Sequence, residues 1–390
     1  MNHHPIIAIV TAAALLAALA GCVENNPTTG ATGNTTVTVE SSATACTLST
    51  DTAPSGTITF TVTNTGDEVT EFYLLADDSI RVVGEVENVG PGIERKLVLT
   101  ATPGIYYTAC KPGMTGDGIG VHEFTVTDSG LKLGLDSDAE ALIDAATASY
   151  AEYVEHEVDE LAEGTETFAA AYIAGDDDTA RALYAPTRVH WERIETVAES
   201  FGDLDPRMDL READLEPGQA WTGWHAIEKD LWPQDAEPGF AAYTQAEREA
   251  LAEQLVVDTS ILHTKAHDLE FSLDQLANGA IGLLDEVASG KVTGEEEFWS
   301  HTDLWDFQAN IDGAAVLVST LREVLTEKDP ALADTLEAEF AELQGLLDTH
   351  RLGDGFRPYT ELSDEEIRAL SDQVNAVAEP LSRLTGALLG

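Results

Sequence analysis

His225 and Glu228 are the residues whose types and spacing most directly suggest chemistry. They lie three positions apart in TGWHAIEKDLW, residues 222–232, a segment whose pattern indicates a helix. This spacing places both side chains on one helix face, where they can share a metal ion or where the carboxylate can orient the imidazole. A core histidine beside a surface carboxylate fits the spacing equally well.

A zinc-peptidase site of the His-Glu-x-x-His type is excluded at this position. That motif requires two histidines one helical turn apart, with a glutamate as general base. The chain has Ala226 in place of the glutamate and Lys229 in place of the second histidine. His263 and His267, in HTKAH, lie four positions apart, which is the spacing of the two histidines in that motif. No glutamate lies beside them, and we interpret them as a surface feature.

Carboxylates at helical spacing lie upstream, in RVHWERIETVAESFGDLDP. Glu192, Glu195 and Glu199 form one stripe, about 100° round the predicted helix from an apolar stripe that would face the core. Carboxylates that flank a buried stripe can point into a cleft. In a chain this acidic, a solvated acidic face is the alternative interpretation.

A further cluster of candidate ligands lies in GEEEFWSHTDLWDF. Its members are Glu297, His301, Asp303 and Asp306. The cluster precedes or begins a predicted helix, where a carboxylate stabilises the helix N-terminus. We therefore interpret Asp303 as a helix N-terminal residue rather than as a ligand.

Two regions of different periodicity must position these residues. From residue 36 to 128, short apolar runs alternate with turn residues at a period of two, which predicts about seven strands in a small all-β sandwich or barrel. The turn-rich segment 128–138 marks a boundary, and from 138 to 390 the period is 3.6, with helices that include 177–201 and 244–289. The predicted fold class is therefore multidomain, an all-β domain followed by an all-α helical bundle.

The first 22 residues have the features of a lipoprotein signal peptide. An apolar run over residues 6–20 is too short for a membrane span, and the LAGC that follows it at Cys22 resembles the lipobox of prokaryotic lipoproteins. The usual Lys or Arg before the apolar run is missing. We expect a lipid on Cys22, a flexible tether over residues 23–35 and an extracytoplasmic location, anchored to the outer face of the membrane.

The charge balance bears on the choice of partner. The chain has 71 acidic and 20 basic residues, which gives a formal net charge of -51. Such a surface repels polyanions, so nucleic acid is excluded as a partner. The charge attracts cations or reflects adaptation to a salty environment, and it does not separate these two interpretations.

Cys46 and Cys110 allow two interpretations of the β-domain. Outside the cytoplasm, two cysteines in a sandwich commonly form a disulfide. Cys110, however, follows the predicted strand GIYYTAC and precedes Met114, in an order that resembles the ligand loop of cupredoxins. A blue-copper centre needs two histidines, and His122 is the only histidine between the N-terminal segment and the helical domain. A fast electron-transfer copper protein is therefore disfavoured.

Three long runs of the sequence carry a family resemblance. The first contains YAPTRVHWERIETVAESFGDLDP and TGWHAIEKDLW, the second is HTDLWDFQANIDGA, and the third is PYTELSDEEIRALSDQVNAVAEPLSRL. These runs closely resemble the EfeO family, the extracytoplasmic components of EfeUOB iron-uptake systems. The resemblance covers residues 36–390. It implies a cupredoxin-like β-domain over residues 36–128 joined to an imelysin-like helical domain over residues 138–390.

The resemblance also implies a metal site in the helical domain. The Gly-x-His-x-x-Glu motif of imelysin-like domains and the further acidic positions match Glu192, Glu195, Asp209, His225 and Glu228. Asp209 lies on a predicted loop, where Asp205 or Asp214 could take its place. Oxygen ligands with one imidazole suit ferrous or ferric iron. Because the imidazole must be neutral to bind a metal, we predict that the affinity falls below about pH 6.

For the β-domain the resemblance implies a second site, which would bind copper or iron. Its residues are Cys46, Glu71, Cys110 and Met114, with Glu85 and Glu87 as further candidates. A disulfide between the two cysteines is the alternative, since oxidation and thiolate ligation compete for the same sulfur atoms.

These expectations describe a non-enzymatic, lipid-anchored protein that captures iron for a membrane permease. The family resemblance implies a haem-type peroxidase as a further partner. Two alternative functions stay open. One is a metallopeptidase, because imelysin-like domains are classed with peptidases, and the other is a copper-dependent redox protein centred on Cys110.

Overall fold

The computed structural model describes residues 34–77, 79, 82–114, 118–130, 137–215, 218–267 and 269–389. The predicted signal peptide, its Cys22 and most of the predicted tether lie outside these residues. Within the described part of the chain, no helix combines the length and the apolar character that a membrane span requires.

The N-terminal domain contains two β-sheets. The strands are β1 (Asn34–Ser41), β2 (Cys46–Leu48), β3 (Thr52–Pro54), β4 (Gly56–Asn64), β5 (Thr70–Leu75), β6 (Val82–Val89), β7 (Glu94–Ala101), β8 (Gly104–Pro112) and β9 (Ile119–Thr127). One sheet has the order β2-β1-β4-β7 and the other β3-β9-β8-β5-β6. The predicted count of about seven omits β2 and β3, which are too short to show an alternating pattern.

The core of this domain lies between the two sheets. Every second residue of β4 is buried, as the period of two requires. Phe60 of β4 packs on Phe72 of β5 and Phe124 of β9, with ring centroids 5.1 and 5.3 Å apart. Such pairs contribute about 0.5–1.5 kcal/mol each beyond the burial of their area. They join the two sheets and fix which face of each strand points inward.

The second domain is built from helices and one short hairpin. The helices are α1 (Ser137–Ala174), α2 (Asp177–Glu192), α3 (Leu204–Met208), α4 (Trp224–Leu231), α5 (Gln245–Ala266), α6 (Leu273–Ser289), α7 (Asp303–Thr320), α8 (Arg322–Lys328), α9 (Pro330–Asp348), α10 (Asp364–Leu381) and α11 (Leu384–Leu389). The hairpin strands are β10 (Arg351–Leu352) and β11 (Gly355–Phe356). The prediction of an all-β domain followed by an all-α domain is confirmed.

The single helix predicted over residues 244–289 is two helices, α5 and α6. Ser272 and Gln275 form a capping box, in which each side chain accepts a hydrogen bond from the backbone N–H of the other residue. A capping box satisfies free N–H groups at a helix start, so it begins a new helix within the apolar pattern.

The helix predicted over residues 177–201 is also interrupted. α2 ends at Glu192, and Glu195–Phe201 form a 3-10 helix. Gly279 of α6 and Gly313 of α7 pack directly on this segment, because a Cβ atom at either glycine would overlap the carbonyl oxygen of Thr196 or Arg193. The chain around Glu192 and Glu195 is therefore held closely between α6 and α7.

α6 also connects the two domains. Arg95 of β7 forms an ion pair with Asp285, and the Asn278 side chain donates a hydrogen bond of 2.9 Å to the carbonyl oxygen of Val98. Beside this contact lies a cavity of about 940 Å³ that residues of both domains line. The domain interface thus adjoins the segment that carries Glu192 and Glu195.

Candidate metal centre

α4 is positioned by a glycine at its N-terminus. Gly223 has φ +87°, and a Cβ atom there would overlap the backbone of Met208. Only glycine readily adopts this positive φ and also has no Cβ atom to overlap Met208. This close approach brings the first turn of α4, with His225, next to Asp209, the residue that follows α3.

Glu228 holds the His225 ring from one side. His225 Nδ1 lies 3.1 Å from Glu228 Oε2, and both side chains are fully buried. The other oxygen of Glu228 accepts hydrogen bonds from the backbone N–H groups of Trp299 (2.9 Å) and Ser300 (2.7 Å). The carboxylate is thus fixed by the loop that precedes α7, and it in turn fixes the orientation of the imidazole.

The opposite nitrogen of His225 faces two carboxylates. Nε2 lies 3.5 Å from Asp209 Oδ1 and 3.6 Å from Glu296 Oε1. Among the described residues this buried nitrogen has no hydrogen-bond partner. Ligand atoms of Asp209, His225 and Glu296 all lie within 4.8 Å of one another, a spacing that one metal ion could bridge.

Glu192 and Glu195 form the adjoining part of the same cluster. The ammonium group of Lys291 lies 2.9 Å from Glu192 Oε2 and 2.7 Å from Glu195 Oε2. The amide of Asn310, on α7, donates hydrogen bonds to the same two oxygens. Oxygen atoms of Glu192, Glu195 and Asp209 lie within 4.8 Å of one another, so Asp209 joins the two parts of the cluster. We call the candidate site formed by Glu192, Glu195, Asp209, His225, Glu228 and Glu296 the metal centre.

Arg188 compensates much of the negative charge of this centre. Its guanidinium is fully buried, and it lies 2.6 Å from a carboxylate oxygen of Glu192 and 2.6 Å from one of Glu297. It also forms ion pairs with Asp209 and with Glu296. Buried charges are tolerated when they are paired and hydrogen-bonded, and a guanidinium offers five N–H donors for that purpose. Arg188 and Lys291 thus hold the carboxylates together in the structure described here.

The surroundings divide the carboxyl groups into two kinds. Burial acts to raise the pKa of Asp209 and of Glu296, but nearby positive groups outweigh it and hold both pKa values below the usual range. Burial, followed by the charge of Glu192, raises the pKa of Glu195 well above its usual value. The lowered pKa values favour the ionised forms of Asp209 and Glu296, whereas burial favours the uncharged form of Glu195.

His225 is positively charged at neutral pH. Burial and the Arg188 charge act to lower the pKa of His225, but contacts with Glu228 and Glu296 and the charge of Asp209 outweigh them and raise it to about 10. The imidazole is protonated on both nitrogens at neutral pH. A metal ion that binds Nε2 must therefore displace a proton.

All five residues predicted for the helical-domain site lie in this cluster. Among the described residues Asp209, rather than Asp205 or Asp214, occupies the shared position, because its carboxylate lies within 4.8 Å of ligand atoms of both His225 and Glu192. The contacts of Glu228 differ from those of the other four residues. One of its oxygens faces His225 Nδ1, and the other accepts hydrogen bonds from backbone N–H groups.

Several contributors were not predicted. Glu296, Arg188 and Lys291 were missed, although the three consecutive acids of GEEEF and the position of Arg188 four residues before Glu192 were available signals. Asp303 is the first residue of α7, as interpreted, and it also accepts a hydrogen bond from the Glu297 backbone at 3.2 Å. Burial raises the pKa of Asp303 to about 7.

The cysteines of the β-domain are bonded to each other. Cys46 and Cys110 form a disulfide with a Cα–Cα distance of 5.5 Å. In this state neither sulfur is a thiolate, so copper ligation through Cys110 would first require reduction.

Glu71 and Met114 do not join the cysteines in one cluster. Phe72 stands opposite Cys110 in the β5–β8 ladder, and Glu71 stands opposite Lys111. Since alternate residues of a strand face opposite sides, Glu71 points away from the core face that Cys110 shares with Phe72. Glu71 instead accepts a hydrogen bond from Tyr73, and Met114 lines the interdomain cavity.

That cavity reaches the metal centre. Glu195, Asp209 and Glu296 line it from the helical domain. Glu85 and Glu87 of β6 line it from the β-domain, with oxygen atoms within 4.8 Å of one of Glu199. Carboxylates of both domains thus line one cavity, and Asp209 is among them.

Comparisons with known proteins agree with both domains. A model of the imelysin family matches residues 146–384, and a model of the cupredoxin-like domain matches residues 7–149. The iron uptake system component EfeO of Escherichia coli K12 is 37% identical over 346 residues, which cover 88% of each chain. The EfeO of Shigella flexneri shows the same identity and coverage.

A solved structure is also similar in outline. It is of an iron-regulated protein A precursor from Parabacteroides distasonis, with 16% identity and a TM-score of 0.49, covering 67% of this chain and 97% of that one. This likeness is too distant to support an argument. The sequence identity and the two matching domains suffice, and the chain belongs to the EfeO family, with a cupredoxin-like domain followed by an imelysin domain.

Proposed function

We propose that this protein is an extracytoplasmic, metal-binding component of an iron-uptake system, which captures iron in its helical domain for delivery to a membrane permease. One observation carries the proposal. The buried Nε2 of His225 has no hydrogen-bond partner among the described residues, and it faces the ionised carboxylates of Asp209 and Glu296. An imidazole nitrogen and carboxylate oxygens are a suitable ligand set for iron.

The residues of the metal centre have different roles in this proposal. Asp209, His225 and Glu296 bind the ion directly. Glu228 orients the imidazole through Nδ1, because one of its oxygens lies 3.1 Å from Nδ1 and the other accepts hydrogen bonds from the backbone N–H groups of Trp299 and Ser300. Glu192 and Glu195 supply further oxygens.

The buried cations make the site stable without iron. Arg188 and Lys291 neutralise carboxylates that would otherwise repel one another. An arriving ion replaces part of this positive charge and displaces the Nε2 proton of His225. The protein can therefore stay folded both with and without its cargo, as a carrier must.

The relatives and the N-terminal sequence support the cellular part of the proposal. The similar proteins of Escherichia coli and Shigella flexneri are named as iron uptake system components. An iron permease and a haem-type peroxidase are the partners we propose. A lipid on Cys22, which follows the lipobox-like LAGC, would hold the protein at the outer face of the membrane.

Binding rather than hydrolysis is the activity that the burial of the site favours. His225 and Glu228 are fully buried, so the site suits a small ion better than a polypeptide. The histidine-glutamate pair also lacks the second histidine of a zinc peptidase, because Lys229 occupies that position.

Anaerobic titration of Fe²⁺, and titration of Fe³⁺ supplied as a citrate complex, test the proposal. We expect the Glu296→Gln and His225→Ala variants to bind iron at least about 100-fold more weakly than the parent, since loss of orienting partners alone costs about 10–100-fold. Glu295→Gln is the matched control, because Glu295 is exposed and pairs with Arg211. Parent-like affinity in both site variants would contradict the assignment.

A further inference from the structure

Two histidines and a carboxylate form an exposed cluster that the metal centre does not include. His263 belongs to the last turn of α5, His267 follows that turn, and Asp159 lies on α1. Their side chains are 42%, 43% and 54% exposed. An ion could therefore reach all three from solvent without any movement of the core.

The geometry of this cluster suits a shared ion. Asp159 Oδ1 lies 2.9 Å from His263 Nε2 and 3.7 Å from His267 Nε2. The two imidazole centroids are 4.9 Å apart. Ligand atoms about 2.1 Å from an ion in a tetrahedral shell lie about 3.4 Å from one another, so these distances require only small adjustments.

The surroundings of His267 also fit a metal ligand. Its Nδ1 lies 3.5 Å from a carboxylate oxygen of Glu155, one turn before Asp159 on α1. A carboxylate on the second ring nitrogen orients a metal-bound histidine and raises its basicity. The pair moreover lies at the C-terminal end of α5, where the helix dipole favours a positive charge.

We propose that Asp159, His263 and His267 form a surface site for a divalent first-row transition ion, with water completing the shell. Two imidazoles and one carboxylate suit zinc and copper, and such a set binds these ions more tightly than ferrous iron. Glu155 is a positioning residue that acts through His267. The site is separate from the metal centre and does not depend on the function proposed for it.

Equilibrium dialysis against Zn²⁺ tests the site in the full chain, at a salt concentration high enough to screen nonspecific uptake by the acidic surface. We expect the His263→Ala/His267→Ala variant to bind one zinc ion fewer per chain than the parent. His122→Ala, which removes an exposed histidine of the β-domain, should bind as many as the parent. A double variant with the zinc stoichiometry and affinity of the parent would overturn the proposal.

Electron spin-echo spectra with one equivalent of Cu²⁺ per chain provide an independent measurement. The parent should show two imidazole nitrogens on one copper ion, and the double variant should not. The Asp159→Asn variant should retain the nitrogen signals while binding copper at least about 10-fold more weakly. All changes are at exposed positions, and circular dichroism confirms that the fold is retained. Unchanged nitrogen signals in the double variant would overturn the proposal.

Discussion

Glu228 Oε2 lies 3.1 Å from His225 Nδ1, while Glu228 Oε1 accepts backbone hydrogen bonds from Trp299 and Ser300. We therefore propose that, in the His-x-x-Glu pair of the sequence, His225 is a ligand and Glu228 is its orienting partner. The free nitrogen of the pair points at Asp209 and Glu296. This arrangement determines what each substitution in the centre should do.

Replacing Glu228 by Gln should weaken iron binding about 10–100-fold. The amide is close in size to the carboxylate, but it removes the negative charge that keeps Nδ1 protonated and Nε2 available for the ion. Titration of Fe²⁺ into the folded variant measures the effect. An affinity equal to that of the parent would show that Glu228 does not orient His225.

His225 should release about one proton for each iron ion bound at pH 7. The surroundings raise the pKa of His225 to about 10, so the imidazole is protonated in the metal-free protein and must lose its Nε2 proton. Asp209 and Glu296 have lowered pKa values and release none in this range. Affinity should therefore rise about tenfold per pH unit from pH 6.5 to 9. This moves the expected pH dependence above the value near 6 that the sequence suggested.

Calorimetry of Fe²⁺ binding in buffers with different ionisation enthalpies counts the released protons. In the His225→Gln variant, which lacks a titratable imidazole, the release should fall by about one proton per ion. Binding by the parent without proton release at pH 7 would contradict the raised pKa.

Replacing Lys291 by Met should destabilise the metal-free protein by about 3–5 kcal/mol, because it leaves buried carboxylates without their cation. The ammonium lies within 3 Å of oxygens of both Glu192 and Glu195. Added Fe²⁺ should recover part of the loss, since an ion supplies the missing positive charge.

Urea unfolding with and without iron measures both effects. Lys328→Met, at an exposed position on α8, should change the free energy of unfolding by no more than about 0.5 kcal/mol. A Lys291→Met variant as stable as the parent without iron would show that Lys291 does not compensate the carboxylates.

Replacing Gly223 by Ala should cost at least about 1 kcal/mol and weaken iron binding. The new Cβ would overlap the Met208 backbone at a positive φ, so α4 must move away from Asp209. Gly345→Ala in α9, where a Cβ meets open space, should instead stabilise the protein by up to about 1 kcal/mol. Thermal unfolding and iron titration of both variants separate the local clash from the general effect of alanine.

Periodicity predicted the order and type of the two domains because it reports which face of each element is buried. It did not predict the end of α2 at Glu192, because that end depends on contact with Gly279 and Gly313 in distant helices. The residues Glu192 and Glu195 were nevertheless identified, because their types and the family resemblance do not depend on the helix continuing.

Contacts between distant segments also limited the prediction of the metal centre. Glu296 reaches His225 from a loop about 70 residues further along the chain, and no local pattern predicts such a contact. The metal ligands predicted for the β-domain could have been tested by pairing the strands, since Glu71 and Cys110 fall on opposite faces of adjacent strands. That test requires the register between β5 and β8, which depends on tertiary packing.

Anomalous diffraction at the iron edge, from crystals of the iron-loaded protein, tests the central claim most directly. The account predicts one strong peak bonded to His225 Nε2 and to carboxylate oxygens of Asp209 and Glu296, with Glu228 on the far side of the imidazole ring. A strong peak elsewhere, for example beside Glu85, Glu87 and Glu199, with none at His225, would contradict it.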